Sequence, residues 1–279
     1  MAKDPGFGVR LTRLLNHRQT DVAWLASASG ISESELRSVA DGAPPSAAQL
    51  GNLAAALGFH TADLLVIAGL PVPEPLQPCE PAAGHELADL IHVAMALPAE
   101  QRTHIHQTVQ QLPQLPRIRP ADPPRADYRQ DGGIGGMLVT MLCANRNLHS
   151  LSAATETLTR LTRGRMYLAA SSLARIAAGL RSPLKPTWLH GFAIALGIPA
   201  ADLAVITGID LSEPPPPEDP LAAEMAQLLW NCRRLTASQI QHLHAEAKAT
   251  LVAVPDHASS NDWNRVYRQH GTWWGAPRR

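Results

Sequence analysis

The chain has 279 residues, with 24 Lys/Arg balancing 24 Asp/Glu and only three Phe and three Tyr among many Ala, Leu and Pro. That length admits one or two domains, and the composition favours short helices packed through small side chains over β-sheet. Apolar runs such as 64–70 are too short to span a bilayer. The first ten residues lack a secretion signal. Cys79, Cys143 and Cys232 form neither a disulfide framework nor a C-x-x-C metal motif, so a cytoplasmic chain without membrane, metal or cofactor is expected.

In chain order, Val9, Leu11, Leu14 and Leu15 mark a first helix, and Val22, Leu25 and Ala26 give an apolar face to a second that starts near Asp21. Gly30 supplies a tight turn. Ser32, with Glu35 three residues on, is the N-cap of a third helix whose Leu36 and Val39 face inward. Ser46 precedes a fourth helix closed near Gly58, and Thr61 is read as the cap of a fifth. Five short helices with a Gly turn between the second and third form a helix-turn-helix domain. An apolar helical pair follows at 84–110, with Leu87, Leu90, Ile91 and Met95. The stretch 116–134 then has the Pro, Gly and charge of an exposed linker, and "GGIGGM" at 132–137 reads as its hinge.

The second half repeats the first. "LGFHTADLLVIAGL" at 57–70 returns as "LGIPAADLAVITGI" at 196–209, "SELRSVADG" at 34–42 as "SSLARIAAG" at 171–179, and Glu86, Leu97, Gln101 and His104 as Glu224, Leu235, Gln239 and His242. The order is preserved at offsets of 137 to 139 residues. The chain divides into a first helix-turn-helix domain (1–70), its helical pair (71–117), a linker (118–135), a second, divergent domain (136–210), a second helical pair (211–255) and a Trp- and Arg-containing tail (256–279). In that tail Trp263, Tyr267, Trp273 and Trp274 alternate with Arg265, Arg268, Arg278 and Arg279, a mixture suited to bases or to a protein groove.

Leu25, Ala26, Gly30, Ile31, Ser32, Leu36, Gly42, Pro45, Leu53, Ala56, Leu57, Gly58, Asp63 and Leu64 carry a resemblance to the Xre/Cro-type helix-turn-helix family. The later half of that pattern recurs over 171–208. The resemblance covers about half of the chain. It implies an all-α fold of tandem lambda-repressor-like domains, each here followed by a helical pair, and a bacterial transcriptional regulator that binds double-stranded DNA. Two departures qualify it: the second helix opens with Thr20 and Asp21 where the family places Gln, and the third offers Glu33, Glu35 and Asp41 beside Arg37. Those carboxylates would repel phosphate, so the first copy reads as structural or dimerising.

The second copy has the opposite balance, seven Lys/Arg against three Asp/Glu over 136–210 where 1–70 holds five against six. Its turn is extended by "RGRMY" and its later loop by "LRSPLKPTW". Arg163, Arg165, Arg181 and Lys185 are assigned to phosphate, Ser171, Ser172 and Arg175 to base edges, and Tyr167 is a further candidate DNA contact. Leu173, Ile176 and Ala177 should face the core. His104 and His106 project roughly 200° apart on a helix, which disfavours chelation, and no nucleophile elbow or phosphate loop indicates an enzyme. A homodimer or protein partner through the paired helices or the tail is a further expectation. The alternative function is a non-enzymatic scaffold or adaptor that uses degenerate helix-turn-helix domains for protein contacts.

Overall fold

A computed structural model describes residues 5–116, 132–180, 184–211 and 219–253. Among them the regular structure is helical, with no strand. The first repeat contains α1 (Phe7–His17), α2 (Val22–Ser29), α3 (Glu33–Ala40), α4 (Ala47–Leu57), α5 (Thr61–Ile67), α6 (Gly84–Ala96) and α7 (Ala99–Gln111). The second contains α8 (Gly133–Cys143), α9 (Leu151–Leu161), α10 (Ala170–Ala177), α11 (Pro186–Leu196), α12 (Ala200–Thr207), α13 (Pro220–Cys232) and α14 (Ala237–Ala253). No single described helix is long and apolar enough to cross a membrane. The pairs α4–α5 and α11–α12 reach that length only together, bent by 115° and 120°.

Local chemistry sets the helix limits in the first repeat. The Asp21 carboxylate accepts from the Trp24 N–H at 2.7 Å, and Ser32 with Glu35 and Ser46 with Gln49 form reciprocal capping boxes. Gly30 and Gly58 end α2 and α4 in the left-handed region, at φ 69° and 70°, where a Cβ would be strained. Two sequence expectations need correction. Thr61 is the first residue inside α5, and the N-cap is His60, which gives no side-chain cap because its ring stacks 3.5 Å from Trp230. The 132–137 glycines are not a hinge: α8 begins at Gly133, inside the anticipated linker, and Gly135, Gly136 and Met137 are buried in it.

Gly132 and Gly135 are required by packing, while Gly133 takes a left-handed backbone at φ 61°. A Cβ on Gly135 would sit 2.1 Å from the Ile176 carbonyl oxygen, so α10 lies with its backbone directly on α8. Gly8 does the same for α1 under α3, where a Cβ would meet the Val39 oxygen at 2.4 Å. Between the repeats the packing is reciprocal, α1 against α12 and α5 against α8. α6 runs along α14, α7 meets α13, and this four-helix group rests on α9 and α11 of the second repeat. The buried apolar residues from Phe7 to Ala247 form one connected core, so the two repeats are fused through their interior.

Candidate nucleic-acid interface

The candidate surface is α10 with the turn before it and the loop after it. α9 is followed by its C-cap Thr162, whose hydroxyl donates to the Leu158 carbonyl and accepts from the Met166 N–H at 3.1 Å, closing the turn. Arg163, Arg165 and Tyr167 make the extended turn a candidate DNA contact, but not all of it faces outward. Met166 and Leu168 instead point inward and are buried, and Met166 occupies space left by Gly191 on α11, where a Cβ would lie 2.0 Å from its Sδ. Tyr167 between them projects outward and is 68% exposed. In-out-in alternation thus fixes the turn as a plug with one aromatic ring on the surface.

Arg163 belongs to the scaffold of this turn. Its guanidinium pairs bidentately with Asp219, the N-cap of α13, through Nε to Oδ2 and through Nη2 to Oδ1 at 3.2 Å. That hydrogen bond holds the Asp219 carboxyl below its ordinary range and raises the guanidinium further. An arginine held this way is a poor phosphate contact, because releasing it would uncover Asp219. Asp219 was missed in the sequence: nothing in its Pro-rich surroundings distinguishes it from a solvated linker carboxylate.

Of the other assigned residues, Arg165, Ser171, Arg175 and Lys185 are exposed and Ser172 is half-buried, whereas Leu173, Ile176 and Ala177 are buried. Arg175 is in the last turn of α10, where a cation complements the helix dipole. Lys185 is the N-cap residue of α11 and its Nζ lies 5.4 Å from the Trp188 ring centroid. Leu180 after the helix is 69% exposed. Arg181, and the aromatic residues of the tail, lie outside the described residues. On α3, by contrast, the carboxylates are occupied locally, Glu33 with Arg37 and Glu35 in its capping box.

Histidines 104 and 106 lie at helix crossings, His104 Nε2 3.2 Å from Glu246 on α14 and His106 Nε2 3.7 Å from Glu224 on α13. Among the described residues no cluster of three His, Cys, Asp or Glu side chains is arranged to hold a metal ion. Compared with known proteins, the chain matches no family model, no curated protein and no solved structure.

A polar arrangement absent from the sequence reading joins the repeats. Arg18, just past α1, donates to Asp202 on α12 through Nε (3.3 Å) and Nη2 (2.7 Å), and through Nη1 to the Leu57 carbonyl at the end of α4 (2.8 Å). Arg146, just past α8, donates to Asp63 on α5 through Nη1 (3.0 Å) and Nη2 (2.9 Å), and through Nη2 to the Leu196 carbonyl at the end of α11. Each arginine therefore ties the fourth helix of its own repeat to the fifth helix of the other. Gln19 and Asn147, the next residues, both adopt a left-handed backbone, at φ 54° and 61°. The missed signal was "TRLLNHRQ" against "TMLCANRN", with Thr12, Leu14 and Arg18 matching Thr140, Leu142 and Arg146 at an offset of 128.

Proposed function

We propose that this chain is a DNA-binding transcriptional regulator of bacterial type and Xre/Cro-like ancestry, with α10 as the element that enters the major groove. The carrying observation is the face of α10: Ser171 and Arg175 are exposed on a helix whose opposite side is buried, and Arg165 and Lys185 are exposed in the segments flanking it. Arginine is the side chain best suited to bidentate guanine contact, and the flanking cations suit phosphate. The ordered resemblance of 25–64 and 171–208 supports the same reading. Arg163 is reassigned from phosphate to holding the turn against Asp219.

The test is a titration of the purified chain with a random-sequence duplex pool, followed by binding to the selected sequence at several salt concentrations. Joint replacement of Arg165 and Lys185 by Ala should weaken binding to every sequence and flatten the dependence of log K on log salt by about one to two. If no duplex is retained at low salt, DNA binding is the wrong function. The adaptor reading is favoured by one observation, Trp24 on α2 with 42% of its surface exposed. It gains if Trp24→Ala abolishes capture of a partner while the cation replacements change nothing.

A further inference from the structure

The reciprocal contacts between repeats have the form of a two-fold interface: a patch on one partner meets the same patch's complement on the other, and the reverse. α1 meets α12 while its counterpart α8 meets α5, and Arg18–Asp202 mirrors Arg146–Asp63, down to the Leu57 and Leu196 carbonyls that the two arginines share. The operation that exchanges α1 with α8 also exchanges α3 with α10, since each of these short helices packs its C-terminal carbonyls on a glycine of its own first helix. Elements exchanged by a two-fold lie at the same height along its axis. A duplex laid across that axis under α10 therefore also passes under α3.

The two helices present different chemistry at equivalent positions. At the offset of 137, Ser171 corresponds to Ser34, Ser172 to Glu35, Arg175 to Ser38 and Ala178 to Asp41. Ser34, Glu35, Ser38 and Asp41 are all exposed. The reading cation of α10 is thus a serine on α3, and a carboxylate stands where α10 has alanine. Exposed carboxylates beside phosphate repel it, and no neighbouring cation on α3 is left over, because Arg37 is paired with Glu33.

Resting on the DNA-binding reading above, we infer that one chain by itself occupies a two-fold-sized stretch of duplex but reads only half of it: α10 contacts bases in one half-site, and α3 lies over the other as a non-reading mate. The target is a double-stranded DNA whose sequence requirement is confined to one side of the pseudo-dyad. The chain meets it alone, because the surfaces that would join two separate chains are already joined inside one.

The experiment transplants the missing chemistry. Ser38→Arg with Asp41→Ala gives α3 the residues of α10 at two exposed positions, and circular dichroism melting verifies that the variant folds. The wild-type chain, on the duplex selected from the random pool, should bind with one chain per duplex by sedimentation and give base-specific protection on one side only. The variant should add protection about one helical turn, ~10 base pairs, from the first. Its log K against log salt should steepen by about one. Two chains per selected duplex, or a folded variant with unchanged footprint and salt slope, would overturn the inference and leave DNA binding by α10 standing. Failure of the wild-type chain to bind any duplex would instead remove the underlying reading.

Discussion

Leu173 and Arg175 are two residues apart on α10 and have separable roles. Leu173 is fully buried, and its truncation to Ala should lower stability by roughly 2–5 kcal/mol in urea unfolding without changing sequence preference. Arg175→Ala should leave stability and non-specific affinity nearly unchanged and relax preference at one or two base positions, a loss of about 1–3 kcal/mol of discrimination. Equal binding of selected and scrambled duplex by both wild type and variant would show that this side chain reads nothing. The inward and outward sectors of α10 were legible in the sequence, because helical periodicity alone sorts 173, 176 and 177 from 171 and 175. The fate of Arg163 was not legible, since its partner is 56 residues away on a helix start. Titration adds a separate check at this scale. Burial pushes His60 down to about 4, with Asp63 opposing and Arg146 and Arg233 adding to the fall, and His92 to about 4, with Asp89 opposing and Arg160 and His244 adding to it. An unfolded histidine takes its proton near 6.5, so between 6.5 and about 4 the unfolded state binds more protons, and stability is present above that window and lost as pH falls through it. His60→Phe, which keeps a ring against Trp230, should flatten the decline in urea midpoint between pH 7 and pH 5 without abolishing it, because His92 still titrates.

At the scale of elements, the first repeat followed its local signals closely. Ser32 and Ser46 start helices with capping boxes, and Gly30 and Gly58 stop them, because these interactions are complete within four residues. Signals that depend on distant chain failed. The glycines at 132–136 look like a flexible joint when only their own conformational freedom is considered. The Ile176 carbonyl lying against Gly135 turns that freedom into a requirement for close helix contact. Gly135→Val should therefore destabilise strongly, because the obstructing atom is backbone and no rotamer change relieves it. At Gly191 the obstruction is the thioether of Met166, a flexible side chain, so Gly191→Ala should cost less and be partly relieved by Met166→Ala in the same chain. Thermal melting of the three variants checks the order. A Gly135→Val protein as stable as wild type would remove the account of why α8 begins with glycines. The same distinction explains why the first-helix match was missed. α9 is 11 residues against 8 in α2 and the turn after it is longer, which shifts the repeat offset from 128 at Arg18 to 137 at Leu36.

For the molecule as a whole, the repeats were legible as two sequences but not as one body. The sequence pattern separates them with a Pro-rich linker, while the fold joins them through a common core and two crossed Arg–Asp pairs. The pairs are alike in connectivity and unlike in burial. The Arg146 and Asp63 side chains are 1% and 0% exposed, those of Arg18 and Asp202 26% and 6%. Both pairs join an arginine to an aspartate of the other repeat, and burial sets the main difference in energetic consequence. Asp63→Asn leaves the Arg146 charge without its counter-ion deep in the core, and a buried charge stripped of its partner costs roughly 3–5 kcal/mol. Arg18 retains access to water, so Asp202→Asn should cost roughly 1–3 kcal/mol. Since the interface is interior to a single core, neither change should split the unfolding curve. Both variants should unfold in urea as one transition, at a lower midpoint and with a similar slope, with fluorescence and circular dichroism coincident. Two resolved transitions in the wild-type chain would mean that the repeats are stable apart and that the crossed pairs join finished domains. A single transition with the Asp63 variant less stable than the Asp202 variant would place the pseudo-dyad among the contacts without which neither repeat stands.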